Sequence, residues 1–249
     1  EDGIRDVAVT EFRRVLFRSF TNSEITNVET KLSKTVSVWD FIPAGTNTLT
    51  TDCSTYFQNA IDYLIATGES GALNVPAGTY KLDSGLTIDV SVCTVRGDAA
   101  LLDFSSFGAS TGAAITLTGA SINYYGNPYF NGVNVLQGFK IQGPGQAVAG
   151  NTGIKFTGST AYLGSNDYAV RDCEIFGFYK GIVMGEVAYH LLFDHCNVFL
   201  CGVAVTGEYH NNTGARNVFH RCTIYNSDYG LDRKSTRLNS SHGYISYAV

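Results

Sequence analysis

The chain has 249 residues with 27 Gly, only 4 Pro, 15 Phe, 15 Tyr and 16% charged residues, a turn-rich, aromatic composition that excludes disordered and helical membrane-spanning classes. Its formal net charge of −5 excludes the basic footprint that nucleic-acid binding needs. No P-loop, GxGxxG or HExxH pattern occurs, so no metal or cofactor is expected, and no membrane partner.

Taken in chain order, residues 1–19 hold Arg5, Arg13, Arg14 and Arg18 and lack the continuous apolar stretch of a signal peptide. Residues 20–48 form a polar lead-in closed by Val36-Ser37-Val38-Trp39-Asp40-Phe41, which alternates like a strand, and the start of a loop rich in Pro, Gly, Asn and Thr. Residues 49–82 hold one helix, capped by Asp52 or Ser54, whose apolar residues Phe57, Ala60, Ile61, Leu64 and Ile65 share one face. Gly68 and Gly71 stop it; Leu73-Asn74-Val75 is a strand, Pro76-Ala77-Gly78-Thr79 a turn, and Tyr80 and Leu82 resume alternation. Such a helix suits a lid over the first layer of a stack, covering strand edges and apolar interior that would otherwise face water.

Residues 83–231 carry a repeat. It reads Leu136-Gln137-Gly138-Phe139-Lys140-Ile141, Val170-Arg171-Asp172-Cys173-Glu174-Ile175, Phe193-Asp194-His195-Cys196-Asn197-Val198 and Phe219-His220-Arg221-Cys222-Thr223-Ile224. The last three copies start 23 and 26 residues apart, and each is followed by Gly and an apolar residue. An outlying copy is read at Val90 to Val95, which would place Cys93 with Cys173, Cys196 and Cys222 in one inward ladder of free thiols. The two-residue alternation, broken by Gly, Asn and Asp, excludes paired helices. Gln137, Arg171, Asp194 and His220 stand where strict alternation demands an inward residue, which marks a corner. Units of about two dozen residues that turn two or three corners and land ~4.8 Å above their start make a single-stranded parallel β-helix; propeller blades are about 40 residues or more.

Val36 to Phe41, the helix Tyr56 to Ile65 and Leu73-Asn74-Val75-Pro76-Ala77-Gly78-Thr79-Tyr80 resemble the N-terminal signature of pectate-lyase-like right-handed parallel β-helix proteins, which include bacteriophage tailspikes and secreted polysaccharide-degrading enzymes. The pattern departs from that family where Ile42-Pro43-Ala44-Gly45 and Asp52-Cys53 replace a Gly-Ala segment, a Gly-Asp-Gly loop and an Asp-Asp pair. The resemblance implies a right-handed all-β solenoid with one N-terminal capping helix, a polysaccharide partner, a homotrimeric full-length protein and a place on a virion tail or outside the cell. The ends of the chain resemble something else: residues 1–19 and 232–249 look like translated sequencing-adapter sequence. Both are expected to lie outside the fold, with the natural protein continuing beyond them. They hold 7 of the 17 basic and 5 of the 22 acidic residues, which leaves −7 for residues 20–231.

Chemistry on a polysaccharide needs particular residues. Hydrolysis usually takes two carboxylates about 5 to 9.5 Å apart, and stacked passes supply such spacing. Glu186 and Glu208, in Gly185-Glu186 and Gly207-Glu208, are the candidate catalytic pair, with Tyr189, His190, Tyr209 and His210 as candidate sugar contacts. The competing reading is that both Glu simply solvate loop corners. Arg171, Asp194 and His220 in one corner column, and Asp172, His195 and Arg221 in the next, are read as partners paired across passes. Tyr124, Tyr125, Tyr129, Phe130, Phe176, Phe178 and Tyr179 can stack on sugar faces or fill core. Two functions stay open: a depolymerase, hydrolase or lyase, and a non-catalytic structural or receptor-binding fibre.

Overall fold

The computed structural model describes residues 35–66, 71–108, 112–119, 133–157, 168–185, 188, 191–207, 217–232 and 246–247. The chain divides into two units, Glu1–Thr35 and Val36–Val249, and the second holds the helix and the stacked strands. Strand β1 (Thr35–Ser37) is shorter than its alternation predicts, because Val38–Asp40 turn into a 3-10 helix. Local hydrogen bonding outcompetes the strand here: Trp39 N donates to Ser37 Oγ at 3.3 Å and Ser37 N donates to the Asp40 carboxylate at 2.8 Å, a reciprocal cap.

Helix α1 (Ser54–Ala66) buries Phe57, Ala60, Ile61 and Leu64, the predicted apolar face. Asp52 Oδ1 accepts from Ser54 N at 2.9 Å, from Ser54 Oγ at 2.6 Å and from Asp83 N at 3.0 Å. The cap thereby ties the helix to the turn after the first strands. Burial works to raise the Asp52 carboxyl, but these hydrogen bonds and the Lys81 charge hold it below its ordinary value.

The rest of the described chain is almost entirely parallel β-sheet laid down in successive passes. The first pass gives β2 (Gly71–Val75), β3 (Thr79–Lys81) and β4 (Leu86–Asp89), the second β5 (Cys93–Asp103) and β6 (Ala113–Thr118), and the third β7 (Val133–Gln142) and β8 (Thr152–Thr157). The next three split the long strand: β9 (Tyr168–Arg171), β10 (Glu174–Phe176) and β11 (Lys180–Met184); β12 (Leu192–Asp194), β13 (Asn197–Phe199) and β14 (Val203–Gly207); β15 (Val218–His220), β16 (Thr223–Tyr225) and β17 (Tyr229–Asp232). One sheet runs β1-β2-β5-β7-β10-β13-β16-β18, where β18 is Ser246–Tyr247, with β3, β9, β12 and β15 attached beside that path. The other runs β4-β6-β8-β11-β14-β17.

Register turns the repeat into columns. Leu136, Val170, Phe193 and Phe219 lie opposite one another, as do Ile141, Ile175, Val198 and Ile224. Phe139, Cys173, Cys196 and Cys222 fill the place between them, and all twelve side chains are buried in one cluster. Phe193 and Phe219 stack face to face at 4.6 Å, close to the strand spacing of ~4.8 Å. The cysteines are free, and burial pushes the Cys173 thiol up to about 12, so it packs as a small apolar group. Cys93 departs from the expectation. It lies opposite Gly71, two residues before Val95, and it is Val95 that faces Leu136. The register of β5 shifts between Arg96 and Ala100, so Ala100, not Cys93, meets Phe139 in the cysteine column. Val90 to Val92 lie in the turn between β4 and β5, so the resemblance to the motif there is one of sequence without its corner.

That corner has a backbone signature. Asp172, His195 and Arg221 all adopt φ of 52°, as does Ala99, and Gly138 takes 79° at the same step of its pass. One left-handed residue reverses the alternation, so Arg171, Asp194 and His220 point outward while the next Cys returns inward. A side chain at Gly138 would in addition run into the Gly97 carbonyl. A second such column, Gly177 (74°), Leu200 (51°) and Asn226 (50°), comes after Phe176, Phe199 and Tyr225 and makes the next corner.

Stability measurements can separate the column from the corner. Ile175→Ala, emptying a fully buried column position, should cost about 2–5 kcal/mol in denaturant unfolding, whereas Glu174→Ala on the same strand should stay within about 0.5 kcal/mol. At Leu200, half-exposed with φ of 51°, Gly should be close to neutral, because relief of about 1–2 kcal/mol of left-handed strain opposes about 0.5–1 kcal/mol of backbone entropy. Leu200→Val should be the less stable of the two variants; equal melting of both would contradict a strained corner.

Candidate functional site

The six residues the sequence singles out, Glu186, Tyr189, His190, Glu208, Tyr209 and His210, lie outside the described residues. What is described is where their loops leave the sheet. Met184 pairs with Gly207, so Gly185 and Gly207 are not opposite each other. The repeated Gly-Glu step starts one residue out of register at the last pair of these strands. The outward side is also covered here: Val183, which is not part of the inner cluster, is 1% exposed and Thr206 opposite it 7%.

Among the described residues, titratable side chains converge instead on the first corner. Arg171, Asp194 and His220 face one another on β9, β12 and β15, each succeeded by a left-handed residue, Asp172, His195 or Arg221. Asp194 Oδ1 lies 2.8 Å from His220 Nδ1 and 3.1 Å from His195 Nδ1, while Arg171 Nε faces Oδ2 at 3.9 Å. Arg221 Nη1 lies 3.3 Å from His195 Nε2, and Gln137 Nε2 donates to Asp172 Oδ2 at 3.0 Å. Of the pairings across passes expected from the order of charges, Arg171 with Asp194, Asp194 with His220 and His195 with Arg221 are present, whereas Asp172 takes Gln137 as its partner in place of His195. The contact of His195 with its own neighbour Asp194 is additional, and it arises because the left-handed backbone swings His195 out beside the carboxylate.

Partners fix the proton positions. Arg221 can only donate, so His195 Nε2 accepts and the ring proton sits on Nδ1, 3.1 Å from Asp194 Oδ1; His220 Nδ1–H donates to the same oxygen. The Asp194 carboxylate is therefore an ionised hub 17% exposed, and His220, 54% exposed, keeps Nε2 clear of protein partners among the described residues. Burial works to raise the Asp194 carboxyl, but the His220 hydrogen bond and the neighbouring basic side chains of His195, His220 and Arg171 hold it below its ordinary value.

The aromatic residues divide. Phe178 is core, fully buried. Phe176, Phe199 and Tyr225 stack on one another at 4.9 and 4.8 Å with nearly parallel rings, which uses up the faces a sugar would need within the stack. Tyr179 is 39% exposed, and Tyr124, Tyr125, Tyr129 and Phe130 lie outside the described residues. Among the described residues no group of three His, Cys, Asp or Glu is arranged to hold a metal ion, and no helix is long and apolar enough to cross a membrane.

Comparison with known proteins places this geometry. No protein-family model matches the chain, and no curated protein matches it in sequence. Among solved structures it is similar to ORF18 of Geobacillus virus E2, with a TM-score of 0.50 and 17% identity over 87% of this chain and 47% of that one. The chain therefore spans about half the length of that viral protein. Weaker similarities are to the A-module of the Azotobacter vinelandii mannuronan C-5 epimerase AlgE4 (TM-score 0.39, 15% identity, 78% of this chain, 59% of that one) and to the Dettilon tailspike protein (0.37, 14%, 79% and 33%). At 17% identity the likeness to the viral structure is one of fold.

The corner network makes a pH prediction. Because the folded-state value of Asp194 lies below its ordinary 3.8, its contribution to stability is complete above that pH and is lost as the pH falls through the lower, folded value. Asp194→Asn should destabilise the protein by about 1 kcal/mol at neutral pH. In acid melts the gap between the two proteins should close below pH 3.8; a gap that persists there would assign Asp194 a role other than as an ionised acceptor.

Proposed function

We propose that this chain is part of a right-handed, single-stranded parallel β-helix protein of the pectate-lyase-like kind that binds polysaccharide on a virion tail or outside the cell, and that the longer protein degrades what it binds. The supporting observation is the recurrence of one outward corner on successive passes, which sets hydrogen-bonding side chains in rows: a repeating surface suits a repeating ligand. The fold shared with the viral structure is consistent with a place on a virion, and a homotrimer would cover strand edges that a single chain leaves open.

In this reading Glu186 and Glu208, on the loops that leave adjacent passes, act as acid and partner carboxylate, with Tyr189, His190, Tyr209 and His210 holding the sugar. The second reading, a non-catalytic receptor-binding rod, is favoured by the one-residue offset between Gly185 and Gly207 at the base of those loops. Turnover separates them. With a capsular or pectic polysaccharide that the protein cleaves, Glu186→Gln and Glu208→Gln should each remove most of kcat and leave melting nearly unchanged. Binding without cleavage by the unmodified protein, or unchanged rates in either variant, would leave the rod.

A further inference from the structure

We propose that the first corner is a binding site for a carboxylate-bearing sugar, held by the guanidinium groups of Arg171 and Arg221 with His220 Nε2 accepting from a neighbouring hydroxyl. The proposal rests on the polysaccharide reading above and names the chemistry of the ligand at a place distinct from the Glu186 and Glu208 loops.

Donors outnumber acceptors at this corner. On the passes of β9, β12 and β15 its charged and titratable groups are Arg171, Asp172, Asp194, His195, His220 and Arg221; the column continues through Gln137 to Arg96, with Asp98 nearby. Asp194 is occupied by both imidazoles, and Asp172 by Gln137. Arg171 approaches Asp194 only at 3.9 Å, beyond hydrogen-bond reach, and Arg221 uses one of its nitrogens on His195. Each guanidinium carries five N–H groups in a fork that matches a carboxylate, so the corner holds many more donors than acceptors once its own carboxylates are served. A corner built only for cross-pass pairing would need neither surplus.

His220 supplies what an anion site alone would lack. Its Nδ1–H is committed to Asp194, which orients the ring and leaves Nε2 as an acceptor. Arg and His donors alone suit any anion, whereas a fixed acceptor next to the forks suits an anion that also carries hydroxyl hydrogens. The left-handed backbone at Asp172, His195 and Arg221 projects this set from the sheet, and Arg171 and Arg221 stand two passes apart, about 10 Å along the stack, a span that one sugar and its neighbour can bridge.

Histidine-ring NMR on the full chain tests this directly, with oligosaccharides of galacturonate and of glucuronate as probes, their carboxyl-reduced counterparts, a sulfated galactose oligosaccharide and sodium acetate as comparators. The uronate oligosaccharides should shift the His220 ring signals saturably, while the carboxyl-reduced, sulfated and acetate samples should not at the same concentration. Arg221→Gln and Arg171→Gln should each weaken uronate binding by about tenfold, and Arg221→Lys should fall between Gln and the natural residue because it keeps the charge without the fork. Arg221 is exposed and Arg171 half-buried, so melting should confirm that the variants fold. Equal binding of the carboxyl-reduced chains, or unchanged affinity in Arg221→Gln, would overturn the site while leaving polysaccharide binding in place. Equal binding of sulfated sugar or acetate would reduce it to a general anion patch and likewise overturn the proposal. No response to either uronate, in a protein that binds or cleaves another polysaccharide, would overturn this inference alone; absence of binding to any polysaccharide would remove the functional reading with it.

Discussion

Parallel strands stacking in register from one pass to the next are the constraint on which the rest of this molecule depends. A strand spacing of ~4.8 Å along the stack fixes the distance between equivalent side chains, and identical neighbours then solve each other's packing. Phenylalanine stacks on phenylalanine inside, at Phe193 and Phe219, and aromatic rings stack outside, at Phe176, Phe199 and Tyr225. The same register lines up charges of opposite sign at the first corner. Packing, hydrogen bonding and the candidate binding surface are thus consequences of one geometric rule.

The rule survives only because each corner is made the same way. A single left-handed residue changes which side chains face inward without lengthening the pass, and it does so at Asp172, His195 and Arg221 in succession. Non-glycine residues in that conformation cost about 1–2 kcal/mol each. The inner columns on either side offset that cost, since burying a Val, Ile or Phe contributes about 1.5–3 kcal/mol. Local strain at the corner and dense packing behind it are two sides of one arrangement.

Much of this was legible in the residues. The motif from Leu136 to Ile224 gave the inner columns because burial imposes its alternation directly on sequence, and the helix from Ser54 was legible because its apolar face repeats at the helical period. Gln137, Arg171, Asp194 and His220 betrayed the first corner by standing where an apolar residue belonged. The second corner left little trace: Gly177 and Asn226 are ordinary left-handed residues, but Leu200 is not, and only its neighbours' register forces it there. Cys93 misled because apolar residues of the turn at Val90 to Val92 repeat the spacing of a strand before a corner. Trp39 misled for a different reason, since the bonds between Ser37 and Asp40 that end the strand are local and compete with a pattern of burial. For the site, charge order along the corner columns foretold cross-pass pairing, whereas the proton arrangement around Asp194 depends on distances that no spacing encodes. The candidate residues Glu186 and Glu208 lie in segments whose repetition is only approximate, as the offset between Gly185 and Gly207 illustrates.

The connections divide the labour unequally. In the last three passes the strands before the second corner and those after it are separated by a constant three residues, Gly177 to Tyr179, Leu200 to Gly202 and Asn226 to Asp228. Between β8 and β9, β11 and β12, and β14 and β15 the intervals are 10, 7 and 10 residues. In these passes the variation in length has been pushed to a single edge of the stack. Closing a longer loop costs only about 0.6 kcal/mol per doubling, so that edge can accept insertions, deletions and wholesale replacement while the strands keep their partners. A chain built in this way separates a constant rail from an interchangeable fringe, and divergence in what the molecule recognises need never disturb how it stands.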